Sequence, residues 1–124
     1  MRIKDFMRQL FESRIAEEKR ILVDREIYRK TFFSQECTWD DRRFNLEMLE
    51  SERIVGIETL DSETKVITEY KASVSPLSVQ TNHRRYHLVF VEGSLKISHV
   101  DRQCPLCHGK GKDECISCKG KHWI

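Results

Sequence analysis

Four of the five cysteines lie close together near the end of the sequence, in two matched pairs. The segment CPLCHGKG (104–111) follows the pattern Cys-x-x-Cys-x-Gly-x-Gly, and CISCKG (115–120) repeats it up to the last glycine. Zn²⁺ prefers four soft ligands in a tetrahedron, and two residues between cysteines allow a tight turn to direct both sulfurs at one ion. Glycines after each pair permit positive φ, so backbone N–H groups can approach the sulfurs closely. The spacing therefore predicts one closed, structural Zn²⁺ site whose ligands are Cys104, Cys107, Cys115 and Cys118.

This tail resembles the cysteine-rich zinc module of the DnaJ co-chaperones, where such motifs are used in pairs and each pair of motifs contributes four thiolates to one ion. The chain has two motifs where the co-chaperones have four, and His122 stands in the place of the second motif's last glycine. It also lacks a J-domain signature, so the resemblance implies the metal site and not the co-chaperone function. The negative charge of four thiolates would be offset by Lys110, Lys112, Lys119 and Lys121.

The same cysteines allow three other interpretations. CPLCH (104–108) is also the attachment motif of c-type haem, although the second cysteine pair, the matched glycines and the absence of an export signal argue against haem. A dithiol redox centre would need its pair at the start of a helix, and the Gly and Lys residues after Cys107 make a poor helix. The third interpretation is that the four cysteines bind nothing. We expect His108 and His122, the spare ligands nearby, to be exposed.

Size and composition indicate a single soluble domain. The chain has 124 residues, a net charge of +2, 39% hydrophobic and 34% charged residues, which is enough apolar content for a modest core. Its balanced charge gives no sign of a nucleic-acid binder, and no apolar run approaches the roughly 18 residues that span a bilayer. The N-terminal segment MRIKDFMRQLFESRIAEEKR lacks the apolar stretch of a secretory signal. We therefore expect a cytoplasmic protein without membrane segments and without disulfides.

The first part of the chain has the spacing of helices. Over residues 3–33 apolar side chains recur at helical intervals, which predicts one long helix or two abutting helices. Thr38 and Asp41 have the arrangement of a capping box, and we therefore predict a short helix over 39–50. The free Cys37 just before it is expected to be a small, buried core residue.

After the helices the period of the pattern changes to 2, the period of strands. Alternation predicts strands over 53–60, 65–74, 84–91 and 95–100, a polar turn at 61–63, a loop over 75–82 that contains Pro76, and a turn at 92–94. The body is therefore predicted to be α+β, with helices first and then two antiparallel hairpins.

This element order, together with the last hairpin RRYHLVFVEGSLKISHV (84–100), resembles the nuclear-transport-factor-2-like fold, a cystatin-like cone of bent sheet wrapped round a long helix. The resemblance covers about residues 1–100 and implies N-terminal helices packed on a bent antiparallel sheet. We thus predict two units, a nuclear-transport-factor-2-like α+β domain over 1–100 and a four-cysteine zinc-binding tail over 101–124. The family contains isomerases and dehydratases, and also proteins without chemistry that bind a partner or a small molecule.

Catalytic members of that family place an acid, a His or a Tyr in the cone. The residues here with suitable chemistry are Tyr28, Asp40, Tyr70, Tyr86 and His87. None aligns with a family catalytic residue, and we expect the tyrosines to be half-buried and the other two to be solvated. The run Asn82–Arg85 has the chemistry to meet an anion, but adjacent arginines on a strand point to opposite faces, so we expect one of them to be solvated.

The sequence therefore predicts a non-catalytic binding module with a structural Zn²⁺ site. Its cone would take a small apolar or acidic ligand, or its sheet would pair with a second copy in a homodimer. The alternative is a small isomerase-, dehydratase- or hydrolase-like enzyme that uses acid–base residues in the cone pocket. A third interpretation is a zinc-knuckle module for protein or nucleic acid, but apart from Trp123 it lacks the aromatic residues that stack on bases.

Overall fold

A computed structural model of the protein describes residues 2–18, 24–39, 46–60, 63–103 and 123. Within them the elements are α1 (Ile3–Glu18), α2 (Arg25–Phe32), α3 (Leu46–Ser51), β1 (Arg53–Leu60), β2 (Glu63–Ser75), β3 (Ser78–Val91) and β4 (Ser94–Arg102). The strands form one antiparallel sheet in the order β1-β2-β3-β4. The predicted α+β class, with helices preceding an antiparallel sheet, is confirmed.

The first helical segment consists of two helices. The carboxylate of Asp24 caps α2 by accepting from the backbone N–H groups of Glu26 and Ile27 at 3.0 and 3.1 Å. Of the helix predicted over 39–50, the described part is α3, and Trp39 lies outside a helix. Asp40 and Asp41 lie outside the described residues.

The loop predicted over 75–82 is wrong. Only a two-residue turn beginning with Pro76 separates β2 from β3, and beyond it the strands stay paired, for example at Ala72 and Gln80. Pro76 suits the first central position of a turn because its fixed φ is close to −65°. The polar residues that follow line a two-stranded extension of the sheet. Their composition is typical of a loop, although their backbone is fully paired.

The β3–β4 hairpin closes with a two-residue turn. Glu92 and Gly93 both have positive φ, 52° and 81°, which is the conformation of a type I′ turn. The pairing of β3 with β4 shifts by one residue after Ile97. Leu88 lies opposite Ile97, whereas the preceding residue of β3, His87, lies opposite His99. Ser98 is therefore the extra residue of a β-bulge, which changes the faces of the residues that follow.

One face of the sheet packs against α1 and α2 and forms the core. Its buried members are Phe6, Met7, Leu10, Tyr28, Phe32, Phe33, Cys37, Val66, Tyr86, Leu88, Leu95, Ile97 and Val100. Aromatic rings pack edge to face between helices, as Phe6 and Phe32 do at 5.5 Å. Cys37 is a free, buried thiol, which confirms the prediction that it is a small core residue.

The two ends of the cysteine tail lie side by side. The backbone N–H of Gln103 donates to the carbonyl of His83 at 3.0 Å, and Gln103 forms an antiparallel bridge with Trp123. The indole of Trp123 lies 4.7 Å from the guanidinium of Arg85. Residues 104–122, which include all four predicted zinc ligands and both spare histidines, lie outside the described residues. The zinc site and the boundary of the second unit therefore stay predictions.

Candidate functional site

The helix-facing side of the sheet holds a group of polar side chains that hydrogen-bond to one another. We call it the Glu52 cluster, and its members are Arg14, Glu52, Thr68, Arg84 and Tyr86. They come from α1, from the residue between α3 and β1, and from β2 and β3. Each of the five is at most 8% exposed, so the cluster is removed from solvent.

The carboxylate of Glu52 is the centre of this cluster. Its Oε1 accepts from Arg14 Nη1 at 3.1 Å and from Arg84 Nη1 at 3.0 Å. Its Oε2 accepts from the hydroxyls of Thr68 and Tyr86 at 2.6 and 2.7 Å. The Tyr86 oxygen in turn accepts from both guanidinium groups at 3.0 Å. Four donors thus hold one buried carboxylate, which is how a buried charge is made tolerable.

Aromatic rings cover the two guanidinium groups. The ring of Trp39 lies 5.1 Å from Arg14 and 5.2 Å from Arg84, and Tyr70 lies 4.3 Å from Arg84 on another side. Trp39 also meets Tyr86 edge to face at 5.8 Å. These cation–π and edge contacts hold the cluster in place and keep water away from it.

Tyr86 and Arg84 keep their ordinary protonated forms at neutral pH. Burial raises the pKa of Tyr86 to about 12, although Arg84 opposes the shift. Burial on its own lowers the pKa of Arg84, but Tyr86, Glu52 and Tyr70 outweigh it and raise that pKa above its usual range. A general acid or base works best with a pKa near the working pH. Neither Tyr86 nor Arg84 is poised for that work.

Two expectations about these residues are wrong. Tyr28, Tyr70 and Tyr86 are 3%, 7% and 0% exposed rather than half-buried. Burial of Tyr86 is possible because its hydroxyl has partners inside. The two adjacent arginines do point to opposite faces, but neither is simply solvated, since Arg84 is buried with Glu52 and Arg85 pairs with Asp101.

The opposite face of the sheet holds a second polar group. We call it the His87 cluster, and its members are Glu63, Arg85, His87, His99 and Asp101. The ring of His87 lies between two carboxylates, with Nδ1 2.6 Å from Glu63 Oε1 and Nε2 3.3 Å from Asp101 Oδ2. Arg85 donates from Nε and Nη2 to the two oxygens of Asp101 at 3.0 and 2.7 Å. The expected solvation of His87 is wrong, because only 12% of its side chain is exposed.

Asp101 and the ring of His87 shift each other's pKa. A hydrogen bond with Asp101 raises the pKa of His87 above its ordinary 6.5, burial opposes that rise, and Glu63 adds to it. Burial on its own raises the pKa of Asp101, but hydrogen bonds from His87 and Arg85 outweigh it and lower that pKa to about 2. At neutral pH Asp101 is therefore ionised, and His87 gains a proton more readily than a free histidine does.

This shift predicts that His87 stabilises the fold in acid and not in alkali. Its folded pKa is raised, so its contribution is fully present below pH 6.5 and is lost as the pH rises through the folded value. We expect the stability difference between the wild type and His87→Gln, measured by urea unfolding with chelator present, to be larger at pH 6 than at pH 9. The matched variant Thr81→Gln, at an exposed, non-titrating position on the same face of β3, should not show this trend. A His87→Gln deficit that is constant across this range would contradict the prediction.

A groove of about 660 Å³ lies between α1 and the edge strand β1. We call it the α1–β1 groove, and its lining includes Phe11, Ile15, Ile54, Val55 and Ile57 with the charged Lys4, Arg8, Glu12 and Arg53. A β-bulge after Ile54 makes Val55 the extra residue, so Ile54 and Ile57 both lie opposite core-facing partners of β2. Val55 and Ile57 are nevertheless 46% and 38% exposed. The groove is thus a largely apolar surface bordered by charged groups of both signs, with Glu52 among them.

Sequence reasoning did not identify Arg14, Glu52, Asp101 or the groove. The two arginines of the Glu52 cluster could have been placed by periodicity. Arg14 lies four residues after the buried Leu10 on α1, and Arg84 lies two residues before the buried Tyr86 on β3, so each shares a face with a buried neighbour. Glu52 has no such signal, because it lies between two elements. Among the described residues, no helix has the length and apolarity needed to cross a membrane.

No protein-family model and no curated protein matches the chain. Among solved structures, it is similar to an NTF-2 like protein of unknown function from Shewanella oneidensis MR-1. The identity is 12% and the TM-score 0.45, over 78% of this chain and 95% of that chain. A likeness at this level carries no argument. The α+β class stands on the helices and the sheet themselves, and the nuclear-transport-factor-2-like assignment stays a prediction.

Proposed function

We propose that the chain is a non-catalytic, cytoplasmic binding module of nuclear-transport-factor-2-like fold that takes a small amphipathic carboxylate in the α1–β1 groove. One structural Zn²⁺, held by Cys104, Cys107, Cys115 and Cys118, fastens its C-terminal tail. One contrast carries the proposal. The polar groups of the Glu52 cluster are buried and occupied by one another, and of them only Glu52 borders the groove, which is open and largely apolar.

The occupied interior favours binding over catalysis. A catalytic carboxylate needs a free lone pair directed at its substrate, and the oxygens of Glu52 already accept from four donors. Tyr86 donates its only proton to Glu52 and lies against the ring of Trp39. A substrate would have to break this buried network before it met either group. Within the Glu52 cluster, the enzyme alternative therefore has no group that is ready to act.

The groove defines the chemistry of the ligand. Its volume is within the range of roughly 300–1,000 Å³ that is usual for small-molecule sites. Phe11, Ile54 and Ile57 supply apolar contact for a hydrocarbon body. Lys4, Arg8 and Arg53 outnumber the carboxylates Glu12 and Glu52 in the lining. Arg8 pairs with Asp5 and Arg53 with Glu69, so Lys4 is the cation best placed to meet a ligand's carboxylate. This combination is complementary to a molecule with an apolar chain and one carboxylate.

The neighbouring ends of the tail support the structural zinc. Gln103 and Trp123 are paired, so the segment with the four cysteines starts and finishes at the same place. Closing such a segment brings its two Cys-x-x-Cys pairs near each other and lowers the entropic cost of a shared ion. Pairing of two copies through the sheet stays a prediction.

Dodecanoate, below its micelle concentration, is the probe that tests the ligand class. We expect the full chain to bind it in isothermal titration calorimetry, and we expect Ile57→Glu to weaken binding about 10-fold or more, because a carboxylate in the groove wall repels the ligand and removes apolar contact. Ile57 is part-exposed, so the variant should fold.

Val91→Glu is the matched control, since Val91 is 41% exposed on β3 and does not line the groove. It should bind dodecanoate as the wild type does. A neutral probe, dodecanol, should bind more weakly than dodecanoate. The proposed ligand class is wrong if dodecanoate does not bind, or if Ile57→Glu and Val91→Glu bind it equally.

A further inference from the structure

We propose that His87, His99 and Asp101 form a binding site for a divalent transition-metal ion on the outer face of the sheet, distinct from the predicted four-cysteine zinc site. Nothing in the proposed function requires this site. Strand register, the convergence of three ligand atoms and the groups that orient them define it.

Register brings the three side chains to one point. His87 on β3 lies directly opposite His99 on β4, and Asp101 follows two residues later, so it projects from the same face as His99. The bulge at Ser98 is what makes this possible. Without the extra residue, the β4 side chains beyond it would face the other way, and Asp101 would point into the core.

The donor atoms are already close together. Asp101 Oδ2 lies 3.3 Å from His87 Nε2 and 4.0 Å from His99 Nε2, and one ligand atom from each of the three residues lies within 4.8 Å of the others. Ligands that bind an ion at about 2.1 Å stand roughly 3–3.5 Å apart. Only a small movement is required, and His99, whose side chain is 64% exposed, is free to rotate.

The chemistry of the donors selects the class of ion. Two imidazoles and one carboxylate suit Zn²⁺, Ni²⁺, Co²⁺ or Fe²⁺ rather than Ca²⁺ or Mg²⁺, which prefer oxygen ligands. The carboxylates of Asp101 and Glu63 lie beside the rings, together with the cations Arg85 and Lys65, the latter opposite His87 on β2. Three protein ligands leave further coordination positions for water or for an added ligand.

A second layer of contacts orients the ligands. Glu63 accepts from or shares a proton with His87 Nδ1 at 2.6 Å, which directs the opposite nitrogen, Nε2, toward the ion. Arg85 fixes the plane of the Asp101 carboxylate through Nε and Nη2, and Oδ2 keeps a second lone pair on the side of the histidines. Binding replaces the proton on His87 Nε2, so affinity should rise with pH.

The test uses the full chain loaded with one equivalent of Zn²⁺, enough for the four cysteines alone, and then titrated with Ni²⁺, with any zinc released measured in parallel. We expect one Ni²⁺ per chain in calorimetry without zinc release, and paramagnetic broadening of the His87 and His99 ring signals in NMR spectra. Glu63→Gln removes an orienting partner and should weaken the affinity for Ni²⁺ about 10–100-fold, the usual effect of such a loss. His99→Ala removes a ligand and should weaken the affinity by more than that.

His83→Ala and His122→Ala are the matched controls, because they remove other histidines and should bind Ni²⁺ as the wild type does. His99 is exposed, so His99→Ala should keep the wild-type unfolding midpoint, which separates lost binding from lost folding. The proposed site is overturned if the wild type binds no Ni²⁺ beyond what displaces zinc, if His99→Ala binds as well as His83→Ala, or if the broadening falls on other histidines.

Discussion

Glu52→Gln is expected to lower the free energy of unfolding by roughly 3–5 kcal/mol, the usual effect of removing one partner from a buried ion pair. The substitution keeps the shape of the side chain and removes its charge. Arg14 and Arg84 then stay buried without the carboxylate that accepts from both of them in the wild type. For a domain whose total stability is of the order of 5–15 kcal/mol, this loss is a large fraction. Urea unfolding followed by far-UV circular dichroism measures it.

Two further variants show whether the charge is responsible. Glu58→Gln removes the same charge from an exposed position on β1 and should change stability by less than about 0.5 kcal/mol. Thr68→Val removes one hydroxyl bonded to Glu52 and keeps the volume, so we expect a loss of about 1.5–3 kcal/mol. If Glu52→Gln were as stable as Glu58→Gln, the carboxylate would not hold the interior together.

The fold class could be predicted because each element follows a local rule. The change of period from helix to strand near residue 52 is a property of neighbouring residues, and β1 begins and ends where its alternation does. The extension of β2 and β3 beyond residue 75 could not be predicted in the same way. It depends on backbone pairing between two polar stretches, and pairing leaves little trace in the composition of exposed strands.

The candidate sites were harder to predict, because their members are distant along the chain. Arg14 lies 38 residues from Glu52 and 72 from Tyr86, and no short motif connects residues so far apart. A buried arginine also contradicts the rule that charged side chains are exposed, unless its partner is known. The His87 cluster depends on the bulge at Ser98, and a bulge of this kind is set by tertiary packing rather than by the identity of one serine.

Cys104→Ser and Cys118→Ser are each expected to lose the zinc of the tail completely. Wild-type chains expressed without added metal and dialysed against a weak chelator should show one Zn²⁺ in native mass spectra, and both variants should show none. Four thiolates close the tetrahedron, and structural zinc contributes about 10–16 kcal/mol in zinc-finger peptides at pH 7. The tail should then become sensitive to trypsin at Lys110, Lys112, Lys119 and Lys121.

Cys37→Ser is the matched control, because Cys37 is buried in the core and has no place among the four ligands. It should keep its zinc even if its core is less stable. Because Gln103 and Trp123 pair at the ends of the tail, loss of zinc should leave the sheet folded and expose mainly the segment between them. Unchanged metal content in both tail variants would refute the zinc site. A wild-type chain without metal and with intact thiols would favour a dithiol redox centre instead, since two Cys-x-x-Cys pairs without an ion are free to exchange with disulfides.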